Sequence, residues 1–272
     1  MSLATQHQLG LCSVSFRRMS PDAVIALAAA SGVSAIEWGA DIHVQPGQTA
    51  LAREVARRCH DAGIGISSYG SYVEAGVADQ PIDAVLDTAV ALGASTVRVW
   101  AGRRGVGSTD ATPPARQASI EALRAIASKA AHAGLAVALE FHPRTLTDTA
   151  DSAVALMTAA SQSNLGSYWQ PRPGIGVAES LAELALLSGR LYHLHVFAWN
   201  AASERLPLAA HEKLWLPCLQ ASRTIGMPRG TFRVAMIEFV AGDSADAFSR
   251  DAETLKGWLA AIDRSSSPVS AS

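Results

Sequence analysis

Ala136-Val137-Ala138-Leu139-Glu140-Phe141-His142-Pro143 is an apolar run that ends in a carboxylate and an imidazole and is closed by a proline. In an extended strand alternate side chains share a face, so Ala136, Ala138, Glu140 and His142 point one way and Val137, Leu139 and Phe141 the other. Small residues and a charge therefore lie on one side and bulky hydrophobes on the opposite side. A carboxylate so close to a buried strand is costly unless a cation, a proton or hydrogen bonds compensate it. Taken alone, Glu140 reads as a paired carboxylate at the edge of a core. The recurrence of the same pattern along the chain gives it a second meaning.

Outward from this run, Gly134 leads into the strand Leu135–His142, as Gly32 leads into Val33–Trp38, Gly63 into Ile64–Tyr69 and Gly93 into Ala94–Trp100. Each glycine supplies a left-handed residue at the end of an alanine-rich helix, and a short apolar strand follows. Before this series, Leu9–Phe16 reads as a first strand, and Ser20-Pro21 opens a helix with a capping hydroxyl and a proline at its first position. After it come a helix over Leu146–Ser161 capped from Thr147-Asp148, a strand over Ser167–Gln170, a helix over Val177–Leu187 and a strand over Arg190–Phe197. A long loop with a helical piece, Ala202–Ile225, leads to the strand Phe232–Val240 and a last helix Ala245–Ile262. Eight strands, each followed by a helix, predict a parallel sheet closed as a single (β/α)8 barrel over residues 1–264, with 265–272 as a flexible serine-rich tail. An open doubly wound sheet lacks its signature, because no glycine-rich dinucleotide turn follows the first strand.

The 272 residues fit one such barrel, and the 49% hydrophobic content is enough for a large core. A net charge of −2 gives no electrostatic footprint for nucleic acid or an anionic membrane, so neither is expected as a partner. No apolar run has the length of a membrane span, and Met1–Gln6 lacks the basic start and apolar middle of a secretory signal. Cys12, Cys59 and Cys218 are an odd number at no metal-binding spacing, which suggests free buried thiols in a reducing cytoplasm.

Active sites of such barrels lie at the C-terminal ends of the strands. Those ends read Phe16-Arg17, Glu37-Trp38, Tyr69, Arg98–Trp100, Glu140–His142, Trp169-Gln170, His193–His195 and Glu238. Nearly every polar group set within an apolar strand falls at this one rim. Glu140, Gln170, His195 and Glu238, from the fifth to the eighth strand, form an O/O/N/O donor set suited to a divalent cation such as Mn²⁺, Mg²⁺, Co²⁺ or Zn²⁺. Such an ion also lets two acids approach without one of them holding a proton. Trp38, Tyr69, Trp100, Trp169 and Trp199 lie at or just past strand ends and suit the C–H faces of a sugar or polyol. By parity Trp38 faces away from Glu37, whereas Trp100 shares a face with Arg98.

At these residues the chain resembles the sugar phosphate isomerase/epimerase family of xylose-isomerase-like TIM barrels. The resemblance spans the chain through Ala35–Trp38, Leu139–His142, His193–Val196 and Ile237-Glu238. It implies Glu140, His195 and Glu238 as metal ligands, with the two glutamates as acid and base. Where the family has an aspartate on the sixth strand, followed three residues on by a histidine, this chain has Gln170-Pro171-Arg172-Pro173. The reaction expected is epimerisation of a ketose or polyol through a cis-enediolate, or aldose–ketose isomerisation if one glutamate alone is suitably placed. Candidate substrate contacts are His142, which could instead orient a neighbour, and Arg98, Trp100, Tyr69, Glu37, Arg205 and His193. Arg98, Arg205 and the loop Gly102–Ser108 could receive an anionic group. Rival readings are a dehydratase acting on an inositol-like ketone and a barrel that binds sugar or metal without turnover. A metal-dependent nuclease would need a basic groove and a larger cluster of acids and histidines, which the sequence lacks. Packing of the outer helices would allow a homodimer or homotetramer.

Overall fold

The computed structural model describes residues 6–200, 202–228 and 232–266. The strands are β1 (Gln6–Cys12), β2 (Ala35–Gly39), β3 (Gly65–Ala75), β4 (Thr96–Ala101), β5 (Ala136–Leu139), β6 (Leu165–Trp169), β7 (Leu191–Val196) and β8 (Phe232–Ile237). They close in sequence order into a barrel in which every neighbouring pair is parallel, β8 returning to β1. The helices are α1 (Pro21–Ala30), α2 (Thr49–Asp61), α3 (Ile82–Leu92), α4 (Pro113–His132), α5 (Ala150–Ala160), α6 (Val177–Leu186), α7 (Glu212–Thr224) and α8 (Ala245–Ser266). The fold is the expected (β/α)8 barrel. α8 takes in Ser265 and Ser266, and the rest of the serine-rich stretch, 267–272, lies outside the described residues, as do residues 1–5.

The repeated glycines do what their spacing predicts. Gly32, Gly63, Gly93 and Gly134 have φ between 69° and 75°, a left-handed turn that ends a helix and aims the chain back into the sheet.

Strand parity divides the apolar residues into two cores. Val137, Leu139, Val97, Val99, Ile36, Trp38, Tyr69 and Trp169 join the shell between strands and helices. Inside the barrel lies a smaller cluster that includes Cys12, Ala35, Ala136, Ala138, Tyr168, Val234 and Met236. Small residues keep that interior passable for larger neighbours. At Gly166 an added Cβ would stand 2.4 Å from the Arg190 carbonyl oxygen and 2.6 Å from the Tyr192 ring.

Several boundaries differ from the sequence reading, β5 ending at Leu139 and β8 at Ile237 among them, and three others bear on how the rim is built. β1 stops at Cys12, and Ser13–Phe16 turns as a 3-10 segment because its hydroxyls serve other strands: Gly39 N donates to Ser13 Oγ, and Phe239 N to Ser15 Oγ, each at 2.9 Å. Arg17 is thereby carried to the surface, where it pairs with Asp41. β3 continues past Tyr69 to Ala75, pairing Glu74 with Trp100 across a bulge. α5 begins at Ala150, with Ser152 N donating to the capping Thr149 Oγ1. The preceding turn is held instead by Thr147, whose hydroxyl donates to the Glu140 carbonyl, and by Thr145, whose hydroxyl donates to that of His142. All three cysteines are free and buried, as expected, and no helix among the described residues is long and apolar enough to cross a membrane.

Gly166→Ala is expected to destabilise the barrel by about 2–3 kcal/mol, because the atoms it meets include backbone that cannot yield. Denaturant unfolding should show a lower midpoint at unchanged slope.

Candidate metal and substrate site

Side chains on the inner face at the C-terminal rim converge on one imidazole. His195, on β7, is fully buried, and its Nδ1 lies 3.1 Å from Gln170 Oε1, 3.4 Å from Glu140 Oε1 and 3.5 Å from Glu238 Oε2. Those oxygens come from residues that follow β6, β5 and β8 at the inward parity. Donors bound at about 2.1 Å to a common ion stand roughly 3.0–3.4 Å apart in octahedral or tetrahedral geometry. The spacing around Nδ1 is that of a hydrogen bond and ion pairs from the imidazole, and donors of these types, an O/O/O/N set, could also serve a divalent cation. A third acid closes the other side: Glu37 Oε1 lies 3.6 Å from His195 Nε2, and Cys12 Sγ is 3.9 Å from the same oxygen.

Arg98 links the carboxylates. From β4 its Nε pairs with Glu37 Oε1 at 3.1 Å and its Nη1 with Glu140 Oε2, all three side chains being at most 3% exposed. Ser68 Oγ donates to Glu37 Oε2 at 2.8 Å. Burial alone would raise the Glu37 carboxyl; Arg98 beside it, with His195 and Ser68, holds it well below the usual carboxylate range. Burial likewise would lower His195, yet its neighbours hold the imidazole well above its usual value. Burial pushes the Cys12 thiol up to about 12, so it is neutral near pH 7 and the carboxylates, Glu238 and Glu37, are what favour the imidazolium.

Above this floor opens a cavity of about 950 Å³. Glu140, His142, Gln170, Glu238, Arg98 and Trp100 line it. His142 Nδ1 donates to the Pro143 carbonyl at 2.8 Å, which leaves Nε2 as an acceptor, and its ring lies 4.9 Å from that of Trp100. Burial holds this imidazole below its usual value.

Other candidates lie elsewhere. Tyr69 is in the outer shell, its hydroxyl donating to the Val44 carbonyl at 2.7 Å. Trp38 also faces outward, as parity requires, and Trp169 donates its indole N–H to Glu183 on α6. Arg205 pairs with Asp243 over the ring of Phe239 and borders a smaller neighbouring cleft. His193 lies deeper than His195, its Nδ1 accepting from Val234 N at 3.2 Å, and does not line the cavity. Glu37 supports the floor through Arg98 and does not line the cavity, and His195 itself lies beneath the lining formed by Glu140, Gln170 and Glu238.

Sequence reasoning passed over Cys12, Ser68 and Tyr168. Tyr168 packs its ring edge-on to His195 at 5.1 Å. Its inward position two residues before Gln170 was the available signal. Tyr72, Phe197 and Phe239, in the cavity wall, belong to an extended strand end and to loops, where periodicity gives no direction.

Residues 25–208 match the family model of xylose isomerase-like TIM barrels. The chain belongs to that family. No curated protein matches the sequence. Solved structures of similar shape include the probable 3-DHS dehydratase AsbF from Bacillus anthracis, at 18% identity and a TM-score of 0.75, covering 92% of this chain and 98% of that one. An L-ribulose 3-epimerase superposes with a TM-score of 0.74 at 16% identity, over 98% and 99% of the two chains. The IOLI protein with a bound zinc atom gives 0.70 at 14% identity, over 96% and 100%. At these identities the likeness to the three solved structures is one of fold alone.

Arg98→Leu is expected to cost about 3–5 kcal/mol, since it strands Glu37 and Glu140 in the interior without their shared cation. Chemical denaturation at neutral pH measures this, and Glu37→Gln added to Arg98→Leu should recover part of the loss.

Proposed function

We propose that the chain is a divalent-metal-dependent isomerase or epimerase acting on a ketose, sugar or polyol, with Glu140 and Glu238 as its acid–base pair. The observation that carries this reading is the trio of oxygens from Glu140, Gln170 and Glu238 around His195 Nδ1 at the floor of the cavity. When bound there, a divalent metal would act as a Lewis acid on a carbonyl and the neighbouring hydroxyl, acidifying the C–H between them.

The two glutamates are not equivalent. Glu140 shares its Oε2 with the Arg98 guanidinium, which spreads its charge and weakens it as a base. Glu238 has no arginine or lysine partner among the described residues and pairs only with His195. Glu238 is therefore the group that takes the substrate proton, and Glu140 is the group that returns one to the opposite face, inverting the carbon through an enediolate. The acceptor Nε2 of His142 suits a substrate hydroxyl, and the Trp100 ring beside it offers a flat face to C–H groups. Trp199, between Phe197 and Phe239, helps to keep water from the reacting carbons.

Incubation with a panel of ketoses in deuterated solvent and added Mn²⁺, read by mass spectrometry, should place label at one carbon beside the carbonyl. Glu238→Gln should slow that exchange by about 10²–10⁴-fold, the usual weight of a general base, and a chelator should abolish it. A Glu140→Gln, Glu238→Gln variant that exchanges label like the parent protein would sink the reading. A product that has lost water would instead identify a dehydratase using the same first proton transfer.

Replacing Gln170 by Glu adds a charge to the ligand set without changing its reach. Metal affinity, followed by calorimetric titration with Mn²⁺, should rise about tenfold or more, some 1.4 kcal/mol.

A further inference from the structure

Glu140 and Glu238 are held in different ways. The Glu140 carboxylate is gripped by Arg98, and its carbonyl accepts from the Thr147 hydroxyl. Glu238 has neither grip. Among the described residues its carboxylate pairs only with His195, at 3.5 Å, and its N–H makes the last bond between β7 and β8, donating to the Val196 carbonyl at 3.0 Å. Where that carboxylate stands is therefore set by the backbone that leaves the barrel after it.

That backbone turns sharply at Phe239. Its φ of 54° lies in the left-handed region, which a bulky side chain adopts only where its surroundings compel it. Two contacts do so. Phe239 N donates to Ser15 Oγ at 2.9 Å, and the Arg205 guanidinium lies over the phenyl ring at 4.9 Å. Phe239 lines both the large cavity and the smaller cleft of about 440 Å³, so it is the partition between them. Released from its contacts, the ring would be free to swing into the cleft, and the peptide that joins it to Glu238 would turn with it.

Ser15 is built to prevent this. It is 2% exposed and belongs to the 3-10 segment Ser13–Phe16, which is fixed on either side of it. Ser13 Oγ accepts from Gly39 N at the end of β2, and the Phe16 ring packs edge-on against Phe248 of α8 at 5.5 Å. An amide N–H shielded from water needs an acceptor, so Phe239 N favours the one backbone conformation that reaches this hydroxyl. Ser15 does not line the large cavity and so touches no substrate there.

We propose that Ser15 is a positioning residue for Glu238: by accepting the Phe239 N–H it fixes the left-handed turn that aims the carboxylate into the cavity. This rests on the reading of Glu238 as base and metal ligand. Its effect passes through a single peptide unit to one carboxylate, while substrate is held by other groups, so its loss falls on turnover and on metal affinity and leaves substrate binding in place.

The test uses Ser15→Ala, which removes the acceptor, and Ser15→Thr, which keeps it. In the label-exchange assay with D-fructose, D-tagatose and L-ribulose at saturating Mn²⁺, Ser15→Ala should lower kcat about 10–100-fold, the weight of a small misplacement of a reacting group. KM should stay within about twofold, and Ser15→Thr should restore most of kcat. Calorimetric titration should show Mn²⁺ binding weakened about tenfold by Ser15→Ala, as when a support behind a metal ligand is removed. Should Ser15→Ala fail to fold, Arg205→Ala, at a partly exposed loop residue, removes the other contact and should lower kcat in the same direction. Parent kcat and parent Mn²⁺ affinity in Ser15→Ala, or an equal loss in Ser15→Thr, overturns the proposal even if the denaturation midpoint falls. If the parent protein exchanges label with none of the ketoses, the reaction assigned to the floor fails and the Mn²⁺ titration decides for Ser15. Binding weakened by Ser15→Ala and kept by Ser15→Thr then supports it, and absent or unaltered binding overturns it.

Discussion

Three carboxylates inside one barrel are tolerated only because their charge is answered within a few ångströms. Glu37, Glu140 and Glu238 are each less than a tenth exposed, and the side chain that answers two of them, Arg98, is itself buried. An unpaired ion in such a place costs several kcal/mol, so these positions must be occupied together or not at all. Strand register delivers them together. Glu37 on β2 stands opposite Ser68 on β3, and Gly70 on β3 stands opposite Arg98 on β4. A Cβ on Gly70 would come within 2.7 Å of Arg98 Nη2 and 2.8 Å of Glu37 Oε1, so the bare backbone there is the space the ion pair occupies.

The division into two cores explains how such a site coexists with a stable fold. Apolar burial is concentrated in the shell between strands and helices, where the large outward-facing residues of the strands pack. The barrel interior holds Ala35, Ala136 and Ala138 below the rim. Small inward residues there leave room above them for the larger Glu140, His195 and Gln170 to meet. The outer shell supplies the stability, and the inner face is left to chemistry.

That same parity is why much of the molecule was legible from the sequence. Alternation within Ala136–His142 put Glu140 and His142 inward before any coordinates, and glycine-terminated helices gave the number and order of strands. Parity also separated Trp38 from Glu37. It failed for Tyr69, which shares the outward parity of its strand but was read from its position at an expected strand end; the strand runs six residues further. Arg205 illustrates a second limit, because a loop residue has no period, and its pairing with Asp243 joins parts of the chain 38 residues apart. Leu146 and Thr147 in the turn Thr145–Thr147 read as the start of a helix because the composition suits one. What it does instead is bond back to the carbonyls of His142 and Glu140, a role that only three-dimensional proximity reveals.

The orientation of His195 follows from its surroundings. Tyr168 packs edge-on against the ring at an interplanar angle of 85°, Glu37 lies on the Nε2 side, and Cys12 stands within 4.8 Å of both the imidazole and Glu238. Nδ1 is thus the nitrogen presented to the three oxygens, and the groups behind the ring fix which atom is offered. Cys12 contributes to this as a neutral thiol: it packs beside Glu37 and the imidazole without adding a fourth negative charge. A carboxylate at the end of β1 would overload the balance that Arg98 maintains. The identity of the residue behind the imidazole is therefore constrained by the same charge sum as the residues in front of it.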